Sequence, residues 1–191
     1  HVLDEKKLVN ELTLEEKASL CSGEDFWHTK AIDRLNIPAA MVSDGPHGIR
    51  KQESLADHMG VAESIKAIGF PTASAMACSF DRDLLHKVGD ALGEECVAED
   101  LAVLLGPGIN MKRSPICGRN FEYYSEDPVV AGELGAAFVN GVQEHGVGTS
   151  LKHFAANNQE WRRMSISAEI DERTLREIYL AAFETVVKKA Q

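Results

Sequence analysis

The chain alternates between short, continuously apolar runs and longer segments in which apolar residues recur every three or four positions. Continuous runs of this kind are typical of buried strands, whereas the three-to-four spacing places apolar side chains on one face of a helix. The runs that predict strands are 38–43, 72–80, 102–105 and 148–154. The segments that predict helices follow Asp81, Asp127 and Asp171. Because aspartate is a favoured N-cap residue, each of these helices has a defined start.

Residues 1–37 predict a short helical lead-in, in which Thr13 and Glu16 have the spacing of a capping box. From 38 to 191 the order strand, loop, helix repeats, and this order predicts an α/β domain of parallel βαβ units. We count about four strands, enough for a small open sheet or for half of a barrel. Periodicity alone does not separate the two. A closed eight-unit barrel typically takes about 250 residues, so a chain of 191 residues favours an incomplete one.

Composition narrows the possible functions. The chain has 30 acidic and 20 basic side chains and a formal net charge of -10. No cluster of lysine and arginine is present to neutralise phosphates, so we do not expect a nucleic-acid partner. No apolar run reaches the length of about 18 residues that suggests a membrane span, so we expect no membrane partner.

The cysteines and histidines do not form a recognisable metal or redox motif. The cysteines are widely spaced, at Cys21, Cys78, Cys96 and Cys117, and none forms a CxxC pair. No two histidines have HxxxH or HxH spacing, so we predict neither a metal nor an organic cofactor. Unpaired cysteines slightly favour a cytoplasmic location. The chain begins at His1 without a basic and apolar leader, which we interpret as a trimmed product and which leaves the location open.

Polar residues of the predicted α/β fold collect where strands end, which is where barrel enzymes place their active sites. These residues include carboxylates and cations. A carboxylate accepts hydrogen bonds from neighbouring hydroxyls and a cationic side chain donates to hydroxyl oxygens, so the combination suits a polyhydroxylated ligand. No Walker motif is present, and Gly106-Pro107-Gly108 does not complete a dinucleotide fingerprint. The strand-end residues are Asp44 with Arg50, Arg119 with Glu122, and Lys152 with His153.

Each of these residues also has a purely structural interpretation. Asp44 could cap its own turn, Arg119 and Glu122 could form a structural ion pair, and Lys152 could extend to water. Lys152 and His153 are adjacent, and adjacent side chains of a regular strand point to opposite faces. Both can reach one ligand only if the backbone leaves strand geometry at this point.

Several blocks of sequence resemble glycoside hydrolase family 3, the β-glucosidase-type family. The resemblance extends from Leu12 to Leu180, and the order and spacing of the blocks are specific. The blocks are Ser43-Asp44-Gly45-Pro46 through Arg50, Gly106-Pro107-Gly108-Ile109-Asn110, Gly118-Arg119-Asn120-Phe121-Glu122 with Ser125-Glu126-Asp127-Pro128, and Lys152-His153-Phe154 with Asn158-Gln159-Glu160.

The resemblance implies a fold and a site. The fold is the front half of a (β/α)₈ TIM-like barrel, about four βα units over 38–191 that follow the helical lead-in. The residues that match those holding the terminal sugar in the −1 subsite are Asp44, Arg50, Arg119, Lys152 and His153. Glu122, Glu160 and Arg163 are supporting residues, and Glu160 and Arg163 match no catalytic residue of the family.

The resemblance also implies a retaining reaction, with an aspartate nucleophile and a glutamate acid/base about 5–5.5 Å apart. In the family the nucleophile lies in a Ser/Thr-Asp-Trp block. Neither Trp27 nor Trp161 follows an aspartate, so we expect both catalytic carboxylates beyond residue 191. The chain alone is then expected to be inactive, and the remainder of the barrel and a second domain are its expected partners.

The expected substrate is a β-glucoside or an oligosaccharide with a terminal β-D-glucosyl residue. The segment 154–158 differs from the Pro-Gly-His loop of the N-acetylglucosaminidase branch, which favours a glucoside. A β-xylosidase-type or arabinose-cleaving parent stays open. Alternatives from other classes are a non-catalytic carbohydrate-binding module, a half-barrel that self-associates through its open sheet edges, and an unrelated α/β enzyme that uses Asp44 and Glu122.

Overall fold

Three short strands form a parallel sheet in the computed structural model, which describes residues 4–52 and 63–191. The strands are β1 (Val42–Asp44), β2 (Val103–Leu105) and β3 (Gly148–Thr149), in the order β1-β2-β3. Val103 of β2 pairs with Val42 on one side and with Gly148 on the other. The predicted α/β class with parallel strands is therefore confirmed, and the arrangement is consistent with part of a TIM-like barrel.

Helices connect the strands and precede them. The helices are α1 (Glu5–Glu11), α2 (Leu14–Leu20), α3 (Ala73–Ala77), α4 (Arg82–Ala98), α5 (Pro128–Gln143), α6 (Glu172–Thr174) and α7 (Ala181–Lys189). Short 3₁₀ turns cover Asp33–Leu35 and Asn120–Glu122, and a π-helical turn at Leu175–Tyr179 joins α6 to the residues before α7. No helix of the described residues is long and apolar enough to cross a bilayer.

The local signals for helix starts are confirmed. The carboxylates of Asp81, Asp127 and Asp171 each accept backbone N–H groups at the first turn of a helix. Thr13 and Glu16 form the predicted capping box, since each side chain accepts the other residue's backbone N–H. These caps satisfy amides that have no partner within the helix.

One strand prediction is wrong. Residues 72–80 contain α3 instead of a strand, and the Thr72 hydroxyl caps this helix by accepting the backbone N–H of Ala75. Small apolar residues give no period that separates a strand from a buried helix, and alanine is the best helix former. The described residues consequently contain three strands where we predicted about four. The predicted strand over 148–154 is also shorter, because β3 ends at Thr149.

The core lies between the sheet and its helices. Leu85 and Leu92 of α4 and Phe138 of α5 are fully buried against Leu104 of β2. The two helices approach each other closely at Gly141, where an added Cβ would lie 2.2 Å from the carbonyl oxygen of His86. This apolar layer fixes the strands from one side and leaves their carboxyl ends open to the polar residues described next.

Candidate active site

A cavity of about 740 Å³ opens at the carboxyl ends of the three strands. We call it the strand-end cavity. Every residue for which sugar binding is expected lines it, namely Asp44, Arg50, Arg119, Lys152 and His153. Glu122 and Arg163 line it as well, whereas Glu160 reaches it through contacts with the two arginines. The structure thus brings together the polar groups that the sequence places more than 100 positions apart.

Asp44 is the last residue of β1, and its carboxylate is held by a turn. Oδ1 accepts the backbone N–H of Gly45 at 3.0 Å and the ammonium of Lys152 at 2.8 Å. Burial raises the pKa of Asp44, but Lys152 and the Gly45 amide outweigh it and leave the pKa below its ordinary value. Gly45 has a φ of 121°, and a Cβ there would lie 2.2 Å from the oxygen of Gly48, so the turn requires glycine.

Lys152 is buried between two carboxylates. Its side chain is 14% exposed, and its Nζ lies 2.8 Å from Asp44 and 3.8 Å from Glu122. The side chain therefore does not extend to water, which excludes the structural interpretation given above. Contacts with two acidic neighbours offset part of the cost of removing the ammonium from water.

Arg119 and Glu122 form an ion pair that also faces the strand-end cavity. The carboxylate of Glu122 is only 7% exposed and accepts Nε–H of Arg119. Burial lowers the pKa of Arg119, but the hydrogen bond and the charge of Glu122 raise it by more. The pair is thus a structural ion pair, as one interpretation of the sequence held. It also lines the cavity, because the guanidinium of Arg119 contacts His153.

His153 is fixed through both its backbone and its ring. The backbone N–H donates to the side-chain oxygen of Asn110 at 2.7 Å, and the carbonyl accepts from the amide nitrogen of Asn110 at 3.0 Å. The ring nitrogens lie 2.8 Å from Arg119 Nη2 and 3.0 Å from the hydroxyl of Tyr123. Burial and the positive charges of Arg119 and Lys152 lower the pKa of His153 to about 4, so the ring is neutral near pH 7.

Lys152 and His153 line the same cavity although they are neighbours in the chain. β3 ends at Thr149, and Lys152 makes only an isolated bridge with Gly108. The peptide bond between Lys152 and His153 is cis. Because β3 ends at Thr149 and Lys152 makes only an isolated bridge, the expectation that the backbone leaves strand geometry at this point is confirmed.

Glu160 and Arg163 extend the charge network outward. The Glu160 carboxylate lies 3.6 Å from Arg119 and 3.1 Å from Arg163, and it accepts from the amide of Asn157 at 3.0 Å. Arg50 also lines the cavity, and it donates its backbone N–H to the carbonyl of Asp44.

Sequence reasoning missed several residues of this region. His47 lines the cavity, and its Nε2 accepts the backbone N–H of Ala73 at 3.0 Å. Burial lowers the pKa of His47. Phe121 places an exposed ring at the opening. Both residues lie inside the blocks Ser43 to Arg50 and Gly118 to Glu122, so their position in those blocks is the signal that could have indicated them.

Metal ligation has no support in the part of the chain that the structure describes, where no group of three or more His, Cys, Asp or Glu side chains could hold an ion. Cys21, Cys78, Cys96 and Cys117 are free thiols. The paired carboxylates and cations of the cavity offer hydrogen-bond acceptors and donors. An α/β fold with such a cavity at the carboxyl ends of its strands has the site position of barrel enzymes.

Comparison with known proteins assigns the class. Residues 7–191 match the N-terminal domain of glycosyl hydrolase family 3, so the chain belongs to glycoside hydrolase family 3. It is 60% identical over 189 residues to thermostable beta-glucosidase B of Acetivibrio thermocellus. That match covers 99% of this chain and 25% of the beta-glucosidase. It is 54% identical over 184 residues to an exo-alpha-(1->6)-L-arabinopyranosidase of Bifidobacterium longum. That match covers 96% of this chain and 24% of the arabinopyranosidase.

Solved structures give the same assignment. The family 3 beta-glucosidase of Bifidobacterium adolescentis has a TM-score of 0.86 at 54% identity, over 96% of this chain and 26% of its own. The beta-glucosidase of Kluyveromyces marxianus in complex with glucose has a TM-score of 0.91 at 44% identity, over 98% of this chain and 22% of its own. The chain thus spans about a quarter of the length of these relatives.

Proposed function

We propose that the chain is part of a retaining, exo-acting β-glycosidase, a β-glucosidase that hydrolyses terminal non-reducing β-D-glucosyl residues. The observation that carries this proposal is the strand-end cavity, where Asp44 and Lys152 form a paired carboxylate and ammonium beside Arg119 and His153. A sugar ring presents hydroxyls that both donate and accept, and this set offers acceptors and donors at one rim. The similarity to beta-glucosidases supports the choice of sugar.

Each residue has a proposed role in the −1 subsite. Asp44 accepts hydrogen bonds from two neighbouring hydroxyls through the lone pairs that Lys152 and Gly45 leave free. Lys152, Arg119 and Arg50 donate to hydroxyl oxygens, and His153 contacts a further hydroxyl. Glu122 supports the subsite by holding Arg119 and Lys152. Glu160 and Arg163 support it from outside.

The catalytic carboxylates are proposed to lie outside this chain. A general acid needs a carboxyl group with a raised pKa, but the pKa of Asp44 is lowered. The carboxylate of Glu122 is buried and already contacts Arg119 and Lys152. Both carboxylates of the cavity thus suit the binding of hydroxyls and cations. The remainder of a barrel and a second domain are the proposed partners that supply the nucleophile and the acid.

The test is hydrolysis of 4-nitrophenyl β-D-glucopyranoside by the full-length protein, with the anomeric configuration of the first product read by proton NMR. We expect β-glucose as the first product, since a retaining enzyme passes through a covalent intermediate. Asp44→Asn is expected to weaken inhibition by glucose as well as hydrolysis, because Asp44 holds the sugar. No activity on any aryl glycoside, or α-glucose as the first product, contradicts the proposal.

A second sugar has specific support. The arabinopyranosidase of Bifidobacterium longum is 54% identical to this chain. A pentopyranoside lacks the exocyclic hydroxymethyl group of glucose, so the ratio of kcat/KM for the glucoside and for the α-L-arabinopyranoside separates the two. The aryl β-xyloside tests the β-xylosidase alternative in the same assay. A non-catalytic or self-associating module would bind sugar without hydrolysing any of the three.

A further inference from the structure

The ring of His153 has a neighbour at each nitrogen, and the two neighbours together determine which nitrogen carries the proton. Arg119 Nη2 lies 2.8 Å from Nε2, and a guanidinium has donors and no acceptor. Nε2 must therefore accept this hydrogen bond and carry no proton. A neutral imidazole has one N–H and one lone pair, so the proton is on Nδ1.

The acceptor for that proton is Tyr123. Its hydroxyl oxygen lies 3.0 Å from Nδ1, and its ring packs edge-on against the imidazole with centroids 5.9 Å apart. Tyr123 is fully buried, and burial raises the pKa of its hydroxyl to about 12, so the oxygen stays a phenol near pH 7. The phenol oxygen is thus available as an acceptor in the position that the Nδ1–H requires.

A second donor orients the Tyr123 oxygen. The side-chain amide of Asn157 donates to this oxygen at 2.9 Å and to Glu160 at 3.0 Å. An ionised carboxylate only accepts, so the contact with Glu160 identifies the nitrogen of the Asn157 amide. The Tyr123 oxygen then accepts from Asn157 on one side and from His153 on the other.

We propose that Tyr123 is a positioning residue that holds His153 as the Nδ1–H tautomer, so that Nε2 presents a lone pair to the strand-end cavity. A sugar hydroxyl that replaces the direct hydrogen bond between Arg119 and Nε2 accepts from the guanidinium and donates to the Nε2 lone pair. His153 is thereby a hydrogen-bond acceptor beside the donors Lys152 and Arg119. The part of this inference that concerns the sugar rests on the proposed function.

The proton position is tested without any sugar. The full-length protein is labelled with [¹⁵N]histidine, and the His153 signals are identified by their loss in His153→Asn. We expect a protonated Nδ1 and an unprotonated Nε2 at pH 7. In Tyr123→Phe the aromatic ring is kept, but His153 Nδ1 and the Asn157 amide lose their shared acceptor, so the Nε2–H tautomer becomes detectable.

Tyr124→Phe is the matched control. Tyr124 is buried next to Tyr123 in the chain, and in the described part its hydroxyl makes no hydrogen bond with His153. We expect Tyr123→Phe to weaken inhibition by glucose about tenfold, the cost of leaving a buried donor without its partner. Tyr124→Phe is expected to change it less than about twofold.

The outcomes separate the two proposals. A proton on Nε2 in the unaltered protein overturns the inference, and so do equal tautomers and equal glucose inhibition in Tyr123→Phe and Tyr124→Phe. If the Nδ1–H tautomer and its dependence on Tyr123 are found in a protein that hydrolyses no aryl glycoside and binds no glucose, the positioning role stands and the proposed function fails.

Discussion

The strand-end cavity and the α4–α5 interface are held together by opposite means. In the cavity, charged side chains from distant parts of the chain contact one another, as in the 2.8 Å pair of Lys152 and Asp44. At the interface, the backbones of two helices meet at Gly89 and Gly141, and a Cβ at Gly89 would lie 2.3 Å from the oxygen of Phe138. Close helix packing needs no charge, and the ion pairs that cross this interface, such as Arg82 with Glu133, lie at its solvent-exposed edge, where such pairs contribute little. Buried ion pairs also contribute little net stability. The difference supports the proposal that the charged side chains of the cavity serve to bind a ligand.

Among changes that test the difference between the cavity and the helix interface, Lys152→Met in the cavity is expected to have the largest effect. The change leaves the carboxylates of Asp44 and Glu122 without their shared cation and removes a donor from the subsite. We expect kcat/KM for the aryl glucoside to fall about 100-fold or more, since hydrogen bonds to charged groups are the costly ones to lose.

Lys51→Met is the control for this prediction. Lys51 also pairs with a carboxylate, that of Glu99 at 3.3 Å, but Glu99 lies just after the C-terminal end of α4 and neither residue lines the cavity. Its replacement is expected to change kcat/KM less than about threefold. Equal losses in the two variants would mean that the cavity pair has no special role.

The second effect falls on the interface. Gly141→Ala places a Cβ 2.2 Å from the His86 oxygen and 2.7 Å from the Asp90 nitrogen, and both are backbone atoms that cannot rotate away. We expect about 2–3 kcal/mol loss in the free energy of unfolding, measured in urea, because the helices must separate. Gly69→Ala, whose Cβ meets nothing within 4 Å, should leave the midpoint nearly unchanged. An unchanged free energy of unfolding in Gly141→Ala would show that the two helices can accommodate an added methyl group.

The third effect is a pH dependence that belongs to the cavity. The pKa of His153 is lowered from its ordinary 6.5 to about 4. Between these values the unfolded chain binds a proton that the folded protein does not, so stability is full above pH 6.5 and is lost as the pH falls toward 4. We expect on the order of 1–2 kcal/mol of this loss to disappear in His153→Asn.

Urea titrations at pH 8 and at pH 4.5 measure this effect. The difference between the two pH values should be smaller in His153→Asn than in the unaltered protein. Comparing each variant with itself removes the effect of the lost ring contacts. An unchanged difference would assign the acid sensitivity to other groups.

The smallest effect is expected at Asp127, which lies in a family-like block but caps a helix. Asp127 belongs to one of the family-like blocks, yet its carboxylate accepts the backbone N–H groups of Val129 and Val130 at 2.7 and 3.1 Å. Asp127→Ala should reduce the free energy of unfolding by about 1 kcal/mol through loss of the cap, with little change in KM. Asp127→Ser should recover most of it. A large rise in KM instead would give Asp127 a part in the site.

The elements that could be predicted from the sequence are those with local causes. The starts of α4 and α5 follow from Asp81 and Asp127, since an N-cap acts on amides within its own turn. The strand-end positions of Asp44 and Lys152 were also predictable, because parallel strands bring their carboxyl ends to one edge.

The remaining features depend on contacts between distant segments. Residues 72–80 were assigned to a strand because small apolar residues lack a distinguishing period, and Thr72 as a cap was overlooked. The partnership of Tyr123 with His153 spans 30 positions and has no sequence signature. Polar networks of this kind are specified by packing, so they become visible only when the segments are placed together.

The alternation of charges in the cavity has an electrical consequence. The carboxylates of Asp44, Glu122 and Glu160 are matched by the cations of Lys152, Arg119 and Arg163, and Arg50 adds one more positive charge. The chain as a whole has a net charge of -10. Because the charges of the strand-end cavity nearly cancel, the cavity exerts little long-range attraction or repulsion on an uncharged ligand. Capture of such a ligand then depends on contact and shape, and we expect it to be nearly independent of ionic strength.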